Sequence, residues 1–376
     1  MKRPNILIIV ADDLGFSDTS PYGSDIHTPS LARLASSGLR LTDFHTAPSC
    51  SPTRAMLISG TDNHIAGLGQ MAEHMMSFED EVFKNRPGYE GYLNFRVAAL
   101  PEILQDAGYH TIMAGKWHLG MKAELSPSAR GFNQSTSLLP GAGNHFNYEP
   151  QLTRINGRVQ APSFMTGEGF WMEGGRFMDR ETELPSDFYS TNYFTDKFLG
   201  YLESRTETEK GKPFFGYLAY TAPHWPLQAP RSVIEKYTGL YDAGPEELRL
   251  KRLKQLQKLG LVPTDITAAP VETIMKEWEA MSDDEKAISV RKMEVYSAMV
   301  EEMDRNIGRV LDNLEASGDL DNTFVVFMSD NGAEGTLLEA TPIMGSSTLK
   351  EIISKHYDNS LQNIGNATSF VSYGAS

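Results

Sequence analysis

The chain has 376 residues, of which 40% are apolar and 22% are charged, a composition typical of a globular protein with a large core. Its formal net charge is −15, which argues against nucleic acid or an anionic membrane as the main partner, since both attract basic surfaces. No run reaches the roughly 18 apolar residues of a membrane span, and the single cysteine, Cys50, excludes an internal disulfide.

The N-terminus carries two cations and then an apolar run, as a signal peptide does. The run, residues 6–11, is shorter than a usual signal core, and Asp12-Asp13 follow it at once. Because it is short, β-branched and not alternating, it predicts a buried parallel strand over residues 5–11. On this basis we expect an unprocessed, cytoplasmic protein.

Strand and helix patterns alternate along the chain. Residues 29–37 predict a helix, with Thr28 as its N-cap and Gly38 at its end. The other predicted elements are strands at 39–44, 111–114, 213–220 and 323–328, helices at 52–59 and 101–107, and a long helix from Val290. Such alternation predicts an α/β fold with a mostly parallel central sheet flanked by helices.

Two segments depart from this alternation. Residues 138–187 are rich in Gly, Pro and aromatic residues, and they predict long loops that either wall a pocket, with His145 in reach, or run over the surface. Residues 243–289 are rich in Lys, Glu and Leu. They predict a helical insertion that either covers a cleft or forms a solvated surface with one buried stripe.

Four polar clusters come directly after predicted strands. They are Asp12-Asp13, Lys116 with His118, His224, and Asp330-Asn331. Ligands of open α/β sheets bind beyond the carboxyl ends of the strands, so we expect one composite site. Its two oxygen pairs suit a hard divalent cation, although Asp and Asn also cap turns at strand exits.

Cys50 opens the run Cys50-Ser51-Pro52-Thr53-Arg54, in which Pro52 can start a helix. A thiol just before a helix N-terminus has a lowered pKa, so this run predicts a reactive cysteine with Arg54 one turn on. The alternative is a small buried apolar residue.

The run also resembles the Cys-x-Pro-x-Arg signature of sulfatases, whose cysteine is oxidised to formylglycine by a separate maturation enzyme. The match extends from Ala47 to Gly60. Further matching motifs follow the family order at residues 3–15, 115–120, 223–226 and 329–332, so that the resemblance covers nearly the whole chain and is greatest to bacterial arylsulfatases.

The resemblance implies an alkaline phosphatase-like fold and hydrolysis of small-molecule sulfate esters, with aryl sulfates favoured. It implies one calcium ion, held by Asp12, Asp13, Asp330, Asn331 and the oxygen of modified Cys50. The hydrated formylglycine would attack sulfur, with Asp330 as base. Arg54 and Lys116 would hold the hydrate and the sulfate, His224 would protonate the leaving group, and His118 would deprotonate the second hydroxyl.

One departure from the family concerns a lysine that follows the Asp-Asn-Gly strand, before a C-terminal subdomain. No such segment follows Asn331 here, so residues 1–376 are interpreted as a sulfatase catalytic domain that is incomplete at its C-terminus, with weakened activity or none. Three alternatives stay open: an inactive homologue, a phosphonate monoester or phosphodiester hydrolase of the same superfamily, and a thiol hydrolase with unmodified Cys50.

Overall fold

The computed structural model describes residues 3–76, 78, 80–152, 154–155, 158–159, 170–269, 276–335 and 347–373. It divides into two compact units. The first comprises Met1–Asp13, Thr46–Thr221 and Arg309–Asn331, and the second comprises Leu14–His45, Ala222–Gly308 and Gly332–Ser376.

The first unit contains a seven-stranded sheet. Its strands are β1 (Asn5–Ala11), β2 (His110–Lys116), β3 (Gln134–Leu138), β6 (Trp171–Glu173), β7 (Arg176–Phe177), β8 (Phe214–Ala219) and β9 (Thr323–Ser329), in the order β7-β6-β3-β2-β8-β1-β9. The five strands from β3 to β9 in this order are parallel, and β6 and β7 add an antiparallel edge. A separate two-stranded ribbon pairs β4 (Arg154–Ile155) with β5 (Arg158–Val159). The predicted α/β class is confirmed.

The helices fall in both units. The first unit holds α2 (Cys50–Ser59), α3 (Ala72–Met75), α4 (Asp80–Phe83), α5 (Leu100–Asp106), α6 (Ser190–Glu203) and α7 (Glu207–Lys210). The second holds α1 (Pro29–Ser37), α8 (Arg231–Ile234), α9 (Pro245–Lys258) and α11 (Ser347–His356), while α10 (Asp283–Ala316) begins in the second and ends in the first. Within the described ranges, no helix is long and apolar enough to cross a membrane.

The central parallel strands end at the same level. Val10 of β1 and Gly115 of β2 both pair with Ala219 of β8, and Ala11 pairs with Ser329 of β9. Gly115 has a φ of +126°, and a Cβ built on it would lie 1.8 Å from the carbonyl oxygen of Ala219. No side chain fits there, so glycine lets β2 run close to β8 up to its last residue.

An apolar core covers one face of the sheet in the first unit. Phe132 stacks on Phe215 and Tyr217 of β8, with ring centroids 5.9 and 6.3 Å apart, and meets Trp117 edge-on. These side chains are at most 2% exposed, so the sheet positions β2 and β8 through large buried contacts.

The strand predictions were wrong at two places: one predicted strand is absent, and one observed strand was not predicted. Residues 39–44 form no strand, because the alternating apolar residues there face solvent: Leu39 is 89% exposed and Leu41 54%. Residues 134–138 do form a strand, β3, which its polar sequence, Gln-Ser-Thr-Ser-Leu, conceals. Ser135 and Ser137 are nevertheless buried.

The two segments set apart in the sequence are described only in part. Of residues 138–187, positions 153, 156–157 and 160–169 lie outside the described residues, and the remainder includes the β6–β7 hairpin. Of residues 243–289, positions 270–275 lie outside them, and α9 accounts for most of the helical content before α10. The insertion stays a prediction.

The start of α1 is capped from a distance. Its boundaries, Pro29–Ser37, are as predicted, but the Thr28 side chain makes no capping hydrogen bond. Instead, the carboxylate of Asp304 accepts hydrogen bonds from the backbone N–H groups of Ser30, at 2.9 Å, and Leu31, at 2.8 Å. All three residues belong to the second unit, so this carboxylate ties α1 to α10 there.

We expect Asp304→Ala to lower the free energy of unfolding by about 2–4 kcal/mol, since it leaves a buried N–H donor on Leu31 and a partly buried one on Ser30 unpaired. Burial raises the pKa of the Asp304 carboxyl, against the pull of those N–H groups. The helix is therefore stabilised mainly by the acceptor oxygens of Asp304 and to a smaller extent by its negative charge. Asp304→Asn keeps one acceptor and should lose about half as much. Urea denaturation measures both, with Asp265→Ala, an exposed aspartate of the same unit, as control; equal losses for all three would refute this account.

Candidate active site

The carboxyl edge of the sheet in the first unit brings together residues that are far apart in sequence. Asp12 and Asp13 follow β1, Lys116 ends β2, and Asp330 and Asn331 follow β9. The level strand ends place all three segments at one edge, as the sequence predicted.

Two buried cations pair with two buried carboxylates at this edge. Lys116 Nζ lies 2.8 and 2.7 Å from the two oxygens of Asp12. Arg54 Nε donates to Asp330 Oδ2 at 2.9 Å, and Arg54 Nη2 lies 2.8 Å from the same oxygen and 3.5 Å from Asp12 Oδ1. All four side chains are fully buried. We call Asp12, Arg54, Lys116 and Asp330 the charge cluster.

Burial and neighbouring carboxylates act in opposite directions on the pKa of the two cations of this cluster. Burial disfavours the charged forms of Arg54 and Lys116, but the attraction of Asp330 for the first and Asp12 for the second outweighs it and raises the pKa of both side chains. Burial also raises the pKa of the Asp330 carboxyl, and the charge of Asp12 raises it further.

Asp13 and Asn331 add further side-chain oxygen atoms beside the charge cluster. Asn331 Nδ2 donates to Asp13 Oδ1 at 2.5 Å, and the backbone N–H of Asp13 donates to Asp330 Oδ1 at 3.3 Å. Asp13 has a φ of +64°, in the left-handed region that few non-glycine residues adopt. Strained backbone of this kind concentrates at functional sites.

Cys50 is the first residue of α2 and is 6% exposed. Its Sγ lies 3.8 Å from Asp13 Oδ1. Burial raises the pKa of the Cys50 thiol well above its ordinary range, Lys116 opposes this, and the charges of Asp330, Asp12 and Asp13 add to it. The expected lowering of the pKa by the helix N-terminus is therefore wrong. An unmodified Cys50 is a protonated thiol and a weak nucleophile.

Arg54 lies one turn along α2 from Cys50, so that the same helix presents both residues to the edge of the sheet. Its Nη1 also donates to the backbone carbonyl of Lys116 at 3.0 Å. The whole run from Cys50 to Arg54 is buried, which fixes the helix start against β2 and β9.

His118 follows β2 and is 8% exposed. Its Nε2 lies 2.9 Å from Oε1 of Glu73, on α3. Burial raises the pKa of Glu73, but the attraction of His118 and the hydrogen bond between them prevail and bring it to about 2. Like Asp13, His118 has a left-handed backbone, with a φ of +58°.

His224 lies in the second unit, a few residues beyond β8. It is 7% exposed, and its Nδ1 lies 2.7 Å from the backbone oxygen of Trp225. Since a carbonyl oxygen only accepts, Nδ1 carries a hydrogen.

Two further residues of the first unit belong to the surroundings of the charge cluster and were not predicted. Glu73 lies in the four-residue helix α3, whose sequence gives no sign of a role. Tyr217, in β8, looks in the sequence like a core residue. Its hydroxyl is buried without a hydrogen-bond partner among the described residues, and the Arg54 and Asp330 charges act on it.

The oxygen atoms of the edge fit a hard cation. Ligand atoms of Asp12, Asp13 and Cys50 lie within 4.8 Å of one another. When ionised, the three carboxylates of Asp12, Asp13 and Asp330 exceed the two cations of the charge cluster by one negative charge. A divalent ion and a monoanionic ester together would neutralise that excess, and carboxylate and amide oxygens are the ligands such ions prefer.

A model of the sulfatase family matches residues 4–359. The chain belongs to the sulfatase family. It is 54% identical to an uncharacterised sulfatase of Schizosaccharomyces pombe and 37% identical to an arylsulfatase of Klebsiella aerogenes, over 99% of its own length in both cases. It spans 65% of the length of the first and 74% of the second.

Solved structures show the same fold. The crystal structure of Ps i-CgsB superposes with a TM-score of 0.60 at 25% identity, covering 89% of this chain and 59% of that one. Membership in the sulfatase family implies a metal ion and a formylglycine derived from cysteine. Cys50 is the candidate for that modification, and it lies beside the buried acidic residues that fit a metal.

We expect Arg54→Ala to lower the free energy of unfolding by roughly 3–5 kcal/mol, because it leaves the buried carboxylate of Asp330 without its partner. Arg96→Ala is the matched control. It removes an arginine that is 53% exposed and lies 2.6 Å from Glu90, and exposed pairs contribute little. Denaturant titration compares the two variants. Equal losses would show that the buried pair is worth no more than the exposed one.

Proposed function

We propose that this protein hydrolyses sulfate esters, with small aryl sulfates as its substrates, through a formylglycine made from Cys50. One observation carries the proposal: the start of α2 holds Cys50 within 4.8 Å of the Asp12 and Asp13 ligand atoms, with Arg54 one turn on. The 37% identity to an arylsulfatase of Klebsiella aerogenes supports the choice of aryl sulfates.

The cysteine is proposed as a precursor because its unmodified form suits the reaction poorly. Burial keeps the Cys50 thiol protonated, so a plain thiol hydrolase is disfavoured. An aldehyde at this position adds water to form a geminal diol, which has one hydroxyl to attack sulfur and a second to regenerate the aldehyde. The partner implied is a maturation enzyme that oxidises the cysteine.

We propose calcium as the metal, bound by Asp12, Asp13, Asp330, Asn331 and the modified side chain of Cys50. The donors other than Cys50 are oxygen atoms, and the buried carboxylates outnumber the buried cations. When bound, the ion would supply positive charge that favours a deprotonated hydroxyl and stabilises the sulfate oxygens.

The residues of the charge cluster would bind the anion and move protons. A formylglycine hydrate, once formed, would supply the hydroxyl that attacks sulfur, and Asp330 would accept its proton as the bond from sulfur to the ester oxygen breaks. The leaving oxygen would take the electron pair of that bond and a proton, a role that the sulfatase resemblance assigns to His224. Arg54 and Lys116 provide fixed positive charge where negative charge develops, so no reorganisation is needed during the reaction.

The second step would release sulfate, with His118 as the base. His118 would accept the proton of the remaining hydroxyl as the carbonyl double bond forms, and sulfate would leave with the electron pair of the bond from carbon to the ester oxygen. Water would then restore the hydrate. Each such proton transfer contributes roughly 10²–10⁴-fold to the rate.

The first test is chemical and concerns Cys50. When the chain is co-expressed with a formylglycine-generating enzyme, we expect the peptide that contains Cys50 to lose about 18 Da, whereas thiol oxidation would add mass. The modified protein should hydrolyse an aryl sulfate faster than the matching aryl phosphonate.

Cys50→Ala is the control for both readouts and should show neither the mass loss nor turnover. A peptide of unchanged mass under conditions that convert a known sulfatase would contradict the proposed modification. Faster hydrolysis of the phosphonate would instead favour a phosphonate monoester hydrolase.

The second test concerns the metal and does not require turnover. Calcium should raise the melting temperature of the full chain above that measured in EGTA, because an ion bound only by the folded state adds about 2.7 kcal/mol at a hundredfold excess over its Kd. Asp330→Asn should remove this rise, and Asp265→Asn, at an exposed position, should keep it. Identical melting in calcium and EGTA for the unaltered chain would argue against the site.

A further inference from the structure

Glu73 contacts His118, the proposed base of the second step, and exchanges no proton itself in either proposed step. Its Oε1 lies 2.9 Å from His118 Nε2, and its side chain is 26% exposed. The other oxygen, Oε2, is buried and has no hydrogen-bond partner within the described ranges. With a pKa of about 2, Glu73 is ionised throughout the neutral range.

The backbone and a glycine hold the His118 ring in place. The backbone N–H of His118 donates to the carbonyl oxygen of Leu139 at 3.1 Å. A Cβ built on Gly141 would lie 2.6 Å from His118 Cε1, so that residue 141 leaves just enough room for the imidazole. The ring is therefore fixed between Glu73 and the segment after β3.

This geometry settles which ring nitrogen carries the hydrogen. An ionised carboxylate only accepts hydrogen bonds, so Nε2 of His118 must donate to Glu73. In the neutral ring, the lone pair is then on Nδ1. That atom is buried and has no hydrogen-bond partner in the part of the chain that the structure describes.

We propose that Glu73 is a positioning residue that fixes the tautomer of His118 and stabilises its imidazolium, so that Nδ1 serves as the base in the release of sulfate. This inference rests on the proposed function and adds to it a residue outside the sulfatase motifs. The arrangement uses the same physical principle as a carboxylate behind a catalytic histidine in hydrolases, where the acid holds the ring and does not take the proton.

In the step concerned, Nδ1 accepts the proton of the remaining hydroxyl. The electron pair of that O–H bond forms the carbonyl double bond, and the carbon–oxygen bond to sulfate breaks with its pair on sulfate. The products are the aldehyde, a sulfate dianion and a protonated His118. Glu73 keeps its charge throughout and faces the positive ring that forms.

Other charged groups interact with the pair of Glu73 and His118 as well. Glu73 and His74 come from α3, and Lys116 comes from β2, two residues before His118. Burial lowers the pKa of His74, and the His118 charge lowers it further against the attraction of Glu73. Lys116 also attracts Glu73. Glu73 is the one negative charge among these neighbours, so its removal should have the largest effect on His118.

The experiment replaces Glu73 by glutamine in the full-length, formylglycine-containing protein. Glu73→Gln keeps the size and a hydrogen-bond acceptor but removes the charge. We expect kcat for an aryl sulfate to fall roughly 10- to 100-fold, the range found for residues that orient a functional group from behind, with little change in KM. The acid limb of the kcat profile should move to lower pH by about one unit or more, since the imidazolium has lost its counter-charge.

The site of the defect can be located with pre-steady-state kinetics. Release of the phenol precedes the step that uses His118, so Glu73→Gln should still give a rapid first turnover and then slow down. Glu73→Asp keeps the charge on a shorter side chain. Its kcat profile should therefore recover most of the acid limb of the unaltered protein. Glu124→Gln, at an exposed position, is the control and should match the unaltered protein.

Two results would overturn the inference. One is an unchanged kcat profile in Glu73→Gln. The other is a fall in kcat in Glu73→Asp that is as large as the fall in Glu73→Gln, with the same pH profile in both variants. That result would indicate that Glu73 serves only in packing.

A measurement without substrate separates this inference from the proposed function. In protein labelled with ¹⁵N-histidine, the His118 signals, assigned by their loss in His118→Asn, should titrate at lower pH in Glu73→Gln than in the unaltered chain. If no sulfate ester is hydrolysed but this shift appears, the proposed function fails and the pairing stands. If hydrolysis occurs and the titration does not move, the pairing fails alone.

Discussion

The buried ion pairs between α2, β2 and the ends of β1 and β9 are the interaction on which the rest of the site depends. Arg54 and Lys116 have no access to solvent, and neither have Asp12 and Asp330. Removing such charges from water costs several kcal/mol for each ion, and only good geometry recovers that cost. The buried pairs are therefore weak evidence for a contribution to stability and stronger evidence for a functional role. They hold positive charge where water is excluded, and there the attraction for a bound anion is strongest.

The sheet explains why three of these side chains meet, and α2 supplies the fourth, Arg54. Parallel strands that end at one level deliver the residues after them to one edge, and Gly115 allows β2 to follow β8 closely to that edge. Beyond the edge, Asp13 and His118 adopt left-handed backbone conformations. A side chain makes this backbone conformation strained, so a glycine would adopt it more easily than the polar residue present at either position. Their side chains are therefore directed by the surrounding structure, which is what a site of fixed geometry requires.

Much of this arrangement could be predicted from the sequence, and particular residues show where prediction failed. Continuous apolar runs gave β1, β8 and β9 nearly to the residue, and the polar residues that follow β1 and β9 were rightly expected to converge. The strand β3 was hidden because Ser135 and Ser137 are polar yet buried, and residues 39–44 misled because exposed leucines mimic a strand pattern. The Cys50 pKa was misjudged, since a helix N-terminus acts locally, whereas burial depends on the whole fold. Glu73 contacts a residue 45 positions away, a distance at which one sequence gives no signal.

The burial of the run from Cys50 to Arg54 bears on whether Cys50 is modified before or after the chain folds. The proposed maturation enzyme could not reach Cys50 once α2 has packed against the sheet, because every residue from Cys50 to Arg54 is then buried. If Cys50 is oxidised as we propose, oxidation and folding compete for the same segment. A protein that folds quickly at this point would mature poorly, so the yield of active molecules would depend on kinetics during synthesis as well as on the stability of the finished fold.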